Sequence, residues 1–281
     1  MNTATPESRE ALALSAAVGT AWRDVRDALS ALLMPALIAL LILFAMQIVR
    51  APIMTLTGLT AGPPAWDALE DLVYEAVKAF LMTPYAIAVH RFIILGEKTM
   101  SYRIAPAEAR FRRFFGWSLA LLMLASAPVA IFETLFEPGP TPFVILVVLS
   151  IAAMVVGIRA IVLFPAVAVD APGANWRQAM ADTKGYAWRI FLIIAVATLT
   201  FLIFVFAVMV AAVGAILAYS IAGGAVITFN AGDAMKALED LKAGFPRAAY
   251  LAIVELVGYT LAVVIASRLY QWIGVRVKGR P

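Results

Sequence analysis

The chain has no cysteine and a single histidine, His90. The first absence excludes disulfides, cysteine-ligated metals, thiol catalysis and palmitoylation. The second excludes a multi-histidine metal site within one chain. Charge is scarce too, since only 14% of the 281 residues are Asp, Glu, Lys or Arg. No GxGxxG turn, Walker loop, HExxH, GxSxG or DxDxD-type cluster occurs. Without a ligand set or a nucleophile–base pair, the sequence reads as a non-enzymatic protein with no cofactor and no metal.

What is present is apolar. Hydrophobic residues make up 63% of the chain, and the mean hydropathy is +0.92. A soluble domain could not bury that much apolar surface and would aggregate. The expected architecture is therefore all-α: a polytopic membrane helical bundle forming one domain over residues 1–281. The sequence pI is about 9.4. In a membrane protein that excess fits anionic lipid headgroups better than nucleic acid. Residues 1–27 carry Glu7, Arg9, Glu10, Arg23, Asp24, Arg26 and Asp27, a poor match to a cleavable signal. They are expected to remain as an amphipathic N-terminal segment.

A bilayer core takes about 20 apolar residues as helix. Six stretches meet that length: residues 28–49, 72–95, 114–136, 143–163, 190–220 and 248–273. The second is the weakest, because it holds Glu75, Lys78, His90 and Arg91. Residues 190–232 are uncharged throughout. They fit one long helix followed by an apolar loop at Gly223 and Gly224, or two crossings. Pro35, Pro84 and Pro128 fall inside spans, where they can kink a helix. Ala153 and Gly157 form a small-xxx-small pair that favours close helix contact.

Basic residues segregate in the six-span arrangement. Arg9, Arg23 and Arg26 precede the first span. Arg91, Lys98, Arg103, Arg110, Arg112 and Arg113 lie between the second and third or at their ends. Arg159, Arg177, Lys184 and Arg189 lie between the fourth and fifth, and Arg268, Arg276, Lys278 and Arg280 end the chain. The opposite side holds Arg50, Lys236, Lys242 and Arg247. Cytoplasmic loops collect Lys and Arg, so both termini are expected in the cytoplasm of a bacterial inner-membrane protein.

The spans also pair into three similar hairpins. Each opens on an aromatic and basic stretch, at Trp22-Arg23, at Arg110 to Phe115, and at Trp176 to Arg189. Each closing helix carries an arginine near its basic end: Arg91, Arg159 and Arg268. That plan fits a pseudo-symmetric bundle, or simply the shared preference of such residues for the membrane interface.

Ionisable residues at membrane depth usually face protein or water. Glu75, Lys78, Glu133 and Glu255 all fall in the half away from the basic loops. Asp67, Asp71, Glu75 and Lys78 recur at helical spacing, with Tyr85 further along. Two readings follow. One is a polar cavity open to that side that binds a cation or a lipid headgroup, as a transporter or channel for a small or lipid-like solute would use. The other is interhelical ion pairs around Lys78 in a non-enzymatic envelope or partner-subunit protein. On the basic side His90, Arg91, Arg159, Trp176, Trp188 and Arg189 form a candidate interface. His90 there is expected at headgroup level, with a proton relay as the alternative.

Residues 164–170 lead into an Ala171-Pro172-Gly173 turn, and Asn175 is placed to cap a short interfacial helix. Two blocks carry a resemblance. One is the Pro165–Asp170 run followed by Trp176-Arg177-Gln178-Ala179 and Thr183 to Phe191; the other is Val89 to Glu97. They resemble uncharacterised six-span bacterial inner-membrane proteins, a group similar to the membrane domain fused to some glycerophosphoryl diester phosphodiesterases. The resemblance implies an envelope protein in contact with lipid, with a protein partner or second copy as a further expectation. The catalytic phosphodiesterase domain has no counterpart in this chain, so its activity does not carry over.

Overall fold

The computed structural model describes residues 14–57, 64–135, 140–222 and 244–279. Among them the secondary structure is helical, without strands. Six helices are long and apolar enough to cross a membrane. This is the build of a multi-pass membrane protein, and the exposed apolar side chains Leu41, Phe143, Val148, Leu202 and Phe206 suit a lipid-facing surface.

Helix α1, Leu14–Ala31, comes before the first crossing. Val18, Ala21, Val25 and Ala28 recur every three or four residues and are buried, which is the stripe an amphipathic helix lays on a bundle. The expected first span thus divides. Leu32 separates α1 from α2, Leu33–Thr57, and Pro35 sits in the first turn of α2, where its missing N–H costs nothing. Arg268 anchors α1 through a two-pronged pair with Asp24, at 2.6 and 2.8 Å.

Helix α3, Pro64–Leu95, stops at Gly96, whose φ of +71° suits glycine. Residues 96–108 are pinned beneath α3 by Tyr102, whose Oη donates to the Leu81 carbonyl at 2.5 Å. Burial pushes that phenol well above its ordinary range, so it stays a donor at neutral pH. Helix α4, Ala109–Leu135, leads back across. Helix α5, Pro140–Ala160, ends three residues before the expected boundary. A turn at Ile161-Val162 follows, then the short α6, Leu163–Ala168. Pro165 supplies no N–H for the Ile161 carbonyl, which is why a straight helix cannot run through.

Asp170 adopts a positive φ of 52° and turns the chain into α7, Trp176–Asp182. Asn175 caps α7 by accepting from the Gln178 N–H at 2.9 Å. Helix α8, Ala187–Ala222, is unbroken, as the single long helix expected over residues 190–220 requires; residues 223–232 lie outside the described residues. Gly214 does not interrupt it. Helix α9, Gly244–Ile273, is the centre of the bundle, packing on α1, α2, α3, α6 and α8. Its spanning window is 44% buried, against 6% for the window that begins in α5 at the rim.

Candidate functional site

Successive crossings run antiparallel, so the bundle has two unlike ends. The basic end is tied shut by side chains. Arg91 grips Glu97 with both arms at 2.7 Å and donates to the Ala168 carbonyl at 3.2 Å. Arg110 pairs with Asp170, its Nε at 2.8 Å. Arg113 donates to the Ala174 carbonyl at 2.6 Å and Arg159 to that of Met180 at 2.7 Å. Buried Thr183 returns a hydroxyl to the Arg159 carbonyl at 3.1 Å. The chain's last described turn closes over this elbow, with Asp182 accepting from the Arg276 and Val277 N–H groups at 2.9 to 3.0 Å.

The far half is organised by one charged cluster. Lys78 on α3 reaches Glu75 one turn earlier at 2.6 Å and Glu255 on α9 at 2.7 Å. Gln47 on α2 donates to the other oxygen of Glu255 at 3.1 Å. Arg50 pairs with Asp71 at 2.5 Å and covers the Tyr74 ring at 4.8 Å. The Tyr74 hydroxyl is buried and finds no hydrogen-bond partner among the described residues. The Glu255 carboxylate thus joins three helices, taking Lys78 of α3 on one oxygen and Gln47 of α2 on the other.

A cavity of about 520 Å³ opens directly below this cluster. Glu75, Lys78 and Glu255 form its charged end. Leu43, Met82, Phe114, Leu121, Leu122, Phe164 and Val263 make its walls, with Ser118 and the Tyr259 ring among them. His90 lines the other end. Lys78 and His90 are twelve residues apart on α3, which is ~18 Å along the helix. The cavity is therefore long, mostly apolar and charged at one end only.

His90 departs from the sequence expectation. It is 1% exposed, so its ring is packed inside the bundle rather than open to headgroups. Ser267 on α9 meets its Nδ1 at 2.7 Å, and the Phe114 ring lies 5.8 Å away. The physical reason is the cover over it, since the arginine ties above close this end of the bundle. The Ser267 hydroxyl also lies 2.9 Å from the Val263 carbonyl; when its proton goes there, its oxygen accepts from His90 Nδ1, and Nε2 of a neutral ring is left as an acceptor. Tyr85 follows the same logic, donating to Thr260 at 2.7 Å while Thr260 donates to the Leu256 carbonyl.

Of the four candidate cavity residues, the structure brings Glu75, Lys78 and Glu255 together. Glu133 falls in the last turn of α4, and its side chain lies outside the described residues. Asp67 falls in the first turn of α3, and its side chain likewise lies outside them. Among the basic-side candidates, Arg91 and Arg159 are engaged within the chain as described. Trp176 stacks on Trp117 at 5.6 Å. Trp188 and Arg189 begin α8 exposed, with Trp188 stacked on Phe191 at 5.2 Å. Sequence reasoning missed Gln47, Arg50, Tyr74 and Ser267. Gln47 carried a signal, being a lone polar side chain late in the first apolar run; Ser267 carried none, because serine is common in membrane helices.

Among the described residues, no group of three or more His, Asp or Glu side chains converges as a metal site. Comparisons with family models, with curated proteins and with solved structures return no match.

Proposed function

We propose that this chain is a non-enzymatic bacterial inner-membrane protein that binds a lipid-like amphiphile in its central cavity. The observation that carries the reading is the cavity itself: apolar walls, charge confined to the far end, and a basic end tied shut. A small ion or polar solute would need polar groups along its whole path. An amphiphile needs polarity at one end only. The volume lies within the ~300–1,000 Å³ usual for ligand sites. The two blocks that resemble phosphodiesterase-linked membrane domains meet at the closed end, where Arg91 donates to the Ala168 carbonyl. By association they support a role beside lipid.

The segregation of basic residues supports cytoplasmic termini, so the charged end would face the outer leaflet. A reporter that works only in the periplasm, active when fused after Gly279, would contradict that orientation.

Ala262 is exposed and borders the cavity, on the ridge between it and a smaller groove lined by Phe201 and Leu261. Ala262→Phe is expected to fill the space without crowding the core. Native mass spectrometry of gently purified protein should show a retained amphiphile in the parent and none in a folded Ala262→Phe. Equal retention by both would place the bound molecule elsewhere. A second reading, a partner-subunit or envelope-organising protein, is favoured by the pairing of Lys78 with both glutamates, which is what a purely structural cluster would show. A stoichiometric protein partner with no retained amphiphile would support it.

A further inference from the structure

We propose that the amphiphile carries an ammonium headgroup, seated against Glu75, with its apolar chain running toward His90. This rests on the amphiphile-binding reading above and names the ligand's polar end. The cluster brings two carboxylates to one ammonium. Lys78 lies 2.6 Å from Glu75 Oε1 and 2.7 Å from Glu255 Oε1. Gln47 occupies the second oxygen of Glu255 at 3.1 Å. Glu75 Oε2 is left without a partner among the described residues, and the Glu75 side chain is 40% exposed.

Arg50 does not make up the difference, because Asp71 neutralises it at 2.5 Å. With all three groups ionised, the described cluster keeps one net negative charge at membrane depth. Unpaired charge is expensive there, so a ligand cation at Glu75 is favoured twice, by attraction and by relief of that cost. An anionic headgroup would meet the same charge as repulsion. A bare metal cation would match the charge, yet below the cluster the lining is Met82, Phe114, Leu122 and Phe164, with only Ser118 and Tyr259 bearing a hydroxyl. Those are too few oxygens for the roughly six or more that a hard cation takes. An ammonium headed by an apolar chain satisfies both the mouth and the walls.

Two probes of equal chain length separate the possibilities: lysophosphatidylethanolamine and lysophosphatidylglycerol. Both carry the phosphate, and only the first carries the ammonium. Each is titrated into the full-length protein in a neutral detergent and followed by native mass spectrometry. The parent is expected to bind the ethanolamine lipid about ten-fold more tightly, the scale of one partly desolvated ion pair. Glu75→Gln keeps the Lys78–Glu255 pair and is expected to fold; it should bind both lipids about equally. Ala262→Phe should bind neither. Equal binding by the parent, or preference for the glycerol lipid, overturns the headgroup assignment while leaving amphiphile binding intact. Failure of the parent to bind either overturns the amphiphile reading, and the headgroup assignment with it.

Discussion

Lys78→Met is expected to lower stability by about 3–5 kcal/mol, the usual cost of leaving a buried charge without its partner. The substitution would leave Glu75 and Glu255, now each 2.6 to 2.7 Å from the ammonium, facing one another without it. It would also cut the link between α3 and α9, with Gln47 left holding Glu255 alone. Of the two carboxylates left behind, Glu255 is 25% exposed, so water relieves only part of its penalty. Glu75 is more exposed, which favours the lower end of the range. The measurement is the thermal unfolding midpoint in detergent, with the yield of monodisperse protein beside it. A control isolates the cause: Lys78→Met combined with Glu75→Gln and Glu255→Gln removes the repulsion and should recover most of the loss. A lone Lys78→Met as stable as the parent would mean that the cluster does not hold the helices together.

Asp182→Ala is the second large effect. The buried carboxylate accepts three contacts at 2.9 to 3.0 Å from the Arg276 and Val277 N–H groups. Removing it leaves the buried Val277 N–H unpaired, at about 1–3 kcal/mol, and the half-buried Arg276 N–H unpaired at less, since water can reach it. The tail over residues 274–279 should then detach from the α7 elbow. Limited trypsin digestion reads this directly, because Arg276 and Lys278 lie in that tail. Cleavage there should speed up by at least about ten-fold, the factor that 1.4 kcal/mol of lost closure allows. Asp182→Asn keeps one acceptor oxygen and should show a smaller change. Gly173 bears on the same contact: a Cβ added there would lie 2.1 Å from the Arg276 carbonyl oxygen, so the tail packs against bare backbone. Unchanged cleavage in Asp182→Ala would show that the tail is held by other contacts.

The spans were legible because their signal is long and redundant. An uncharged run such as residues 190–220 has few outcomes besides a helix in lipid. The Asn175 cap was legible because its chemistry is local, one side chain meeting an N–H three residues later. The break between α5 and α6 was less so. Its run of apolar residues continues through Arg159 to Val169, and only Pro165 marks the interruption. The site divides in the same way. Helical spacing placed Glu75 and Lys78 on one face of α3, and depth in the membrane singled out Glu255. That Lys78 touches both is a fact of tertiary packing between residues far apart in sequence. His90 was misjudged for a related reason. Its neighbour Arg91 pointed to the interface, whereas the cover from residues 96–108, α6 and α7 is long-range and leaves no local mark. The cavity had no sequence signal, since its walls use the same leucines and phenylalanines that elsewhere face lipid.

The most direct measurement is photo-crosslinking with a diazirine-bearing amphiphile, followed by peptide mapping of the labelled sites. If the cavity holds the ligand, labels concentrate on its walls, at Ser118 to Leu122 on α4 and Ala262 to Ala266 on α9, and disappear in Ala262→Phe. Labels confined to the outer belt, at positions such as Val148 on α5 and Phe206 on α8, would show an amphiphile that only coats the bundle, and would contradict the account.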